Sequence, residues 1–124
     1  MAENFGEVLG LARQIGLAIR KHPRYLALRE TDARIRADKA ATGALDAYNR
    51  AVAEMARKER AGLPVEVEDK RSFERLKNAV VSNEMIKAFM RTQADYAELM
   101  RRMNEAIFEA IRGSEGQAEA KQET

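Results

Sequence analysis

No cysteine occurs in the 124 residues of this chain. That excludes disulfides, thiolate nucleophiles and cysteine-ligated metal or iron–sulfur centres within it. Tryptophan is also absent, proline occurs twice, and His22 is the sole histidine. A catalytic or metal-binding histidine needs convergent partners, and the junction at His22-Pro23 offers none in sequence. His22 is therefore expected to cap a helix or face solvent. No apolar run is long enough to span a bilayer, so membrane insertion is not expected. The opening Met-Ala-Glu-Asn-Phe lacks the basic start and apolar core of a signal peptide, which makes the cytoplasm the default location. Gly6, Gly10 and Gly16 fall inside an amphipathic helical pattern rather than after a strand, so they do not form a phosphate-binding loop.

The composition is 45% hydrophobic and 34% charged. Alanine, leucine, glutamate, lysine and arginine dominate, which favours helix. The apolar residues are spaced to form faces, which argues against disorder. The net charge is only +2. Met1 to Gly62 carries 12 basic and 8 acidic residues, and Leu63 to Thr124 carries 10 and 12. This asymmetry is weaker than a nucleic-acid-binding protein of this size usually shows. It suits self-association or a protein partner.

Five helices and no strands are expected. The first runs from about Asn4 to Lys21, with Phe5, Val8, Leu9, Ala12, Ile15 and Ile19 on one face. Its glycines lower its intrinsic stability and let another backbone approach, so it should depend on docking. The break at His22-Pro23 leads into a second helix carrying Tyr25, Leu26, Leu28, Ala33 and Ile35. Asp38 can cap a third helix, roughly Lys39 to Ala61, in which Ala41, Leu45, Tyr48, Val52 and Met55 keep heptad spacing. Gly62 before Leu63-Pro64 stops it. After an extended connection to Val67, a shorter fourth helix turns Phe73, Leu76 and Val80 inward. Ser82-Asn83 then caps a fifth helix from about Glu84 to Arg112, ended by Gly113. Residues 1–112 read as one helical domain and 113–124 as a flexible polar tail. The motif Ile35…Asp38 is echoed by Val80…Asn83, although identity beyond it is too poor to indicate duplication.

The fifth helix holds the strongest signal. Ile86, Phe89, Tyr96, Met100, Met103, Ile107 and Ala110 recur at steps of three and four, interrupted by Gln93. Met85, Met90, Leu99, Ala106 and Ile111 make the flanks apolar too. Nearly 30 residues of helix measure roughly 45 Å, whereas a compact domain of this size has a radius of gyration of about 13–14 Å. Such a helix projects beyond a compact monomer while still carrying apolar groups. The expected architecture is thus all-α: an elongated helical bundle with two long heptad-patterned helices, completed by oligomerisation as a homodimer or higher oligomer. Tyr48, Val52 and Met55 of the third helix and Phe89, Tyr96, Met100, Met103 and Ile107 of the fifth are the candidate interface.

Two basic clusters are the other candidates: Arg20, Lys21 and Arg24 at one hinge, and Arg57, Lys58 and Arg60 at another, with Lys70 and Arg71 following. If these helix ends converge, they suit an acidic protein or RNA phosphates; helix-end charge and solubility is the simpler role. Direct RNA binding is the alternative to a protein-interaction function. Glu105 and Glu109 are spaced like metal ligands on a helix, but no histidine accompanies them, so no metal or other cofactor is expected. The methionines and tyrosines at helical spacing are expected to pack rather than bind ligand. No nucleophile–base pair can be assembled, so an enzyme is not expected.

From about Phe5 to Ile111 the sequence resembles the YlbF/YmcA family of small helical bacterial proteins. The stretch Ala12-Arg-Gln-Ile-Gly-Leu-Ala-Ile19, with Tyr25 after the hinge, is similar to that family's first helical stretch. Ile35 with Asp38 resembles the junction before its long middle helix, and Gly62 with Val65 its glycine–turn–aliphatic connection. Leu76, Val80, Asn83, Ile86 and Phe89 resemble the run into its last helix. The resemblance implies an all-α protein that self-associates or joins sister proteins. It implies a non-enzymatic regulator of development, competence or biofilm formation, in some members within a complex that directs RNA processing by a membrane-associated ribonuclease. Members linked to iron–sulfur clusters use cysteines, from which this chain departs.

Overall fold

The structure, a computed structural model, describes the backbone of residues 3–122 and the side chains of residues 3–113. Five helices follow one another: α1 (Gly6–Lys21), α2 (Pro23–Ala37), α3 (Lys39–Arg60), α4 (Val67–Val81) and α5 (Glu84–Gln122). No strand occurs among the described residues. The chain is all-α, as its composition and periodicity require.

Each junction has a local cause. The His22 imidazole accepts a hydrogen bond from the Arg24 N–H at 3.0 Å, with Pro23 in the first turn of α2. The histidine is thus an N-cap. Asp38 accepts from the Ala41 N–H and Asn83 from the Ile86 N–H, each at 3.0 Å, satisfying donors that a helix start leaves unpaired. After α3 the chain turns at Gly62 with φ +70°, a left-handed conformation that only glycine adopts without strain. Across the loop, the Asp69 carboxylate accepts from the Glu66 N–H and closes the first turn of α4.

Among the described residues, four side chains are buried: Ile35, Ala41, Val80 and Ile86. They form one cluster, with Leu45, Tyr48, Met85 and Phe89 packed around it. Their sequence positions are regular. In Ile35-x-x-Asp38-x-x-Ala41 and Val80-x-x-Asn83-x-x-Ile86, a capping residue sits between two core residues, three positions from each. The last turn of one helix and the first turn of the next then point into the same space. The echo visible in the sequence is the core itself, built from two helix–cap–helix corners.

Two helix pairs leave this core. α2 runs antiparallel along α5, with Tyr25 and Tyr96 rings 6.0 Å apart and the Thr31 and Thr92 hydroxyls hydrogen-bonded at 2.6 Å. α3 and α4 form a second antiparallel pair, with Tyr48 and Phe73 rings 5.5 Å apart and Lys58 bonded to Asp69 at 2.7 Å. α1 extends the first pair, bringing Ile15, Ala18 and Ile19 to an apolar cleft beside Leu99 and Met103.

Helical geometry breaks at Gly113 (φ 44°, ψ −130°), where the stop was expected, and helical backbone resumes beyond it as far as Gln122. The polar tail expected from this point lies, for its side chains, outside the described residues. No helix among the described residues is long and apolar enough to cross a membrane.

Candidate interaction surface

Large apolar side chains are exposed at many positions among the described residues. Many of them lie on two helices. On α1 Val8, Leu9, Leu11 and Leu17 are exposed, Val8 by 69%, as is Phe5 just before it. On the distal half of α5, Ile107, Phe108 and Ile111 are exposed, Ile111 by 71%. Isolated exposed apolar residues are ordinary; a run of them on neighbouring helices marks a surface that water should not cover.

The geometry of this run follows from the inner cleft. Leu11 and Val8 lie four and seven residues before Ile15, and Ile107 and Ile111 lie four and eight after Met103. Helical periodicity therefore continues both faces of the cleft outward. At the inner end Ile15, Ile19, Leu99 and Met103 are part-buried, whereas outward the equivalent positions are open. The two helices share a cleft near the hinge at His22, and their outer apolar positions are exposed.

The interface residues expected from sequence are distributed unevenly. Tyr48 and Met55 are part-buried on the side of α3 facing Phe73. Val52, one step round the helix, is exposed. Phe89 packs on the core and Tyr96 on Tyr25. Met100 is part-buried, Met103 lines the α1 cleft, and Ile107 stands in the open run. The exposed face of α1 was not among the expected interface residues. Its signal was present in Val8 and Leu11, but the glycines of α1, at positions 6, 10 and 16, dilute the pattern.

The basic clusters sit on different helix pairs and are partly engaged. Arg24 donates to the Asp95 carbonyl at 2.9 Å, which fastens the start of α2 to α5. Arg57 pairs with Glu54 at 2.6 Å, and its hydrogen bonds hold the Glu54 carboxyl below its ordinary pKa. Lys58 is part-buried and clamps the α3–α4 loop through Asp69, whose carboxyl is held low first by that lysine and then by the Glu66 N–H. Arg20, Lys21 and Arg60 are exposed, with Arg60 reaching the Ala56 carbonyl of its own helix.

The densest charge cluster among the described residues lies on α5. On α5, Glu98 accepts from Arg101 at 2.6 Å and Arg102 at 2.9 Å, and Arg101 also pairs with Glu105. These bonds hold the Glu98 carboxyl down at about 2, against an ordinary value of 4.5. A carboxyl whose pKa is lowered by folding stabilises the folded state above its ordinary value, and that contribution is lost as pH falls. Helicity measured by circular dichroism is therefore expected to decline as pH drops from about 4.5 towards 2. A Glu98→Gln variant should lack this part of the decline; an identical acid titration in the variant contradicts the assignment. The effect is small because the groups face water.

Among the described residues, no group of three or more His, Asp and Glu side chains is gathered in a metal-ligating arrangement. The surface carries exposed helix faces and ion pairs. The chain belongs to the YlbF/YmcA family, described as control of competence regulator ComK, whose profile matches residues 8–112. That span runs from within α1 to the last residue before the break at Gly113. Comparison with curated proteins gave no match.

Proposed function

We propose that this chain is a non-enzymatic regulator of the bacterial cytoplasm that self-associates and docks partner proteins through its helix faces, modulating RNA processing or development. The observation that carries the reading is the open apolar face of α1 and distal α5 in a member of a competence-control family. Apolar surface left in water costs about 25 cal/mol per Å², so a face this extended favours a bound state. The exposed charges of both signs beside it suit partner selection more than raw affinity. Regulation by docking needs no catalytic group. The engagement of Arg24, Arg57 and Lys58 within the fold makes direct RNA binding the weaker reading.

Affinity capture of the full chain from its native cells, with nuclease treatment before elution, tests the proposal. Recovery of a reproducible, near-stoichiometric set of other proteins, with ribonuclease components among them, is the expected result. Recovery of the chain alone removes partner docking and leaves a self-assembling scaffold. Loss of every partner on nuclease treatment points instead to RNA as the tether.

A further inference from the structure

We infer that α1 lies in the surface of an anionic lipid bilayer, its axis in the membrane plane and the stripe Phe5, Leu9, Ala12 and Gly16 set among the headgroups. This goes beyond the partner docking proposed above and does not depend on it. A lipid surface taken by α1 leaves the distal run of α5 for partner proteins.

Placement is the first argument. Each of the other four helices supplies a side chain to the buried core, and α1 supplies none. Its Ile15 and Ile19 line the cleft with Leu99 and Met103. Phe5, Leu9, Ala12 and Gly16 follow one another at steps of four, three and four, roughly 70° round the helix from those two isoleucines. Phe5 precedes α1 but already has helical backbone angles, φ −89° and ψ −5°, so the periodicity reaches it. All four residues of the stripe are exposed. The stripe therefore borders the cleft without entering it.

Charge names the occupant. Arg13 and Arg20 lie four and eleven residues after Leu9, along the edge of the stripe, and Lys21 follows. Glu7 is the single carboxylate on α1. Among the described residues, Arg34, Arg36, Arg57, Arg71 and Arg101 each pair with a carboxylate three or four positions away on their own helix. Arg13, Arg20 and Lys21 make no such pair there. Long basic side chains beside an apolar row lay their stems along it and carry their charge outward, which is how an interfacial helix meets lipid phosphates. RNA would engage the cations and leave the apolar row in water; a lipid surface takes both. On distal α5 the charges of Arg101 and Arg102 are already met by Glu98 and Glu105, so the same argument does not extend there. The 16 residues of α1 measure about 24 Å, short of the roughly 30 Å of a hydrocarbon core. The helix thus lies on the membrane rather than across it.

Co-sedimentation of the full chain with vesicles of phosphatidylglycerol and phosphatidylcholine in equal parts, at low and high salt, tests this. Binding is expected at low salt, weakening as salt rises and weaker by about tenfold or more on phosphatidylcholine alone. Leu9→Glu, and Arg13→Glu combined with Arg20→Glu, should each lower the affinity by about tenfold or more. Val52→Glu, on the exposed side of α3, should leave it unchanged. Far-UV circular dichroism checks that each variant stays helical. Because the chain has no tryptophan, Phe5→Trp adds a reporter whose emission should move to shorter wavelength on the anionic vesicles, while that of Val52→Trp should not. A chain that stays in solution with anionic vesicles at low salt overturns the inference, and its capture by polyuridylic acid would then assign the cations to nucleic acid. Equal binding to phosphatidylcholine alone, or binding that survives both the Leu9 and the arginine changes, overturns it as well.

Discussion

Ile86→Ala is expected to destabilise the chain by about 2–5 kcal/mol, enough to unfold much of it at room temperature. Ile86 is 1% exposed and is the largest fully buried side chain. Truncation removes its apolar burial and leaves a cavity where the ends of four helices meet. With four buried residues among those described, the core has little else to collapse onto the gap. Urea unfolding followed by circular dichroism measures the loss. A change below about 0.5 kcal/mol, the scale of ordinary surface substitutions, would show that the helix junction is not what holds the pairs together. Ile107→Ala provides the contrast: at 39% exposure, it should cost the isolated chain little.

The second large effect comes from adding volume. Ala41 is 0% exposed, in the first turn of α3 directly after the Asp38 cap. Ala41→Leu brings three extra carbons into a space bounded by Ile35, Val80 and Ile86. Overpacking of this kind costs about 1–3 kcal/mol. It also pushes α3 away from α4, so the Lys58–Asp69 bridge near the far end of that pair should loosen as well. Chemical denaturation gives the cost, and the Asp69 carboxyl, followed by NMR, should titrate closer to its ordinary value. An unchanged midpoint would mean that the junction has slack the structure does not display.

Much of this architecture was legible in the sequence because its signals are local. His22-Pro23, Asp38, Gly62 with Pro64, Asn83 and Gly113 each terminate or begin a helix through their own backbone or side-chain chemistry, and every one acts where it stands. The apolar periodicity of α5 marked it as a helix against which others pack, as α2 does along its length and α4 at its start. The repeated spacing of Ile35 to Asp38 and Val80 to Asn83 pointed at the core without revealing that both corners share it. The open face was half legible: Ile107 was expected at an interface and Val8 was placed on a helix face expected to dock, while Leu11 was not singled out.

What escaped was the pairing of distant positions. Thr31 with Thr92, Tyr25 with Tyr96, Arg24 with the Asp95 carbonyl and Lys58 with Asp69 follow no local rule, because each depends on which helix lies beside which. Three of these fasten α2 to α5, and a residue's own helix carries no mark of its partner's register.

The sequence by itself determined that the chain is all helical, where each helix starts, and that one of them is too long and too apolar for a small monomer to cover. These outcomes depend on interactions within a turn or two of chain. Only the tertiary structure decided that the four buried residues come from two capped corners, that the basic clusters fall on separate helix pairs, and that α1 and α5 share a cleft near the hinge while their outer apolar positions are exposed. Those outcomes depend on the direction in which each helix leaves its corner, and that is set when all four ends bury Ile35, Ala41, Val80 and Ile86 together.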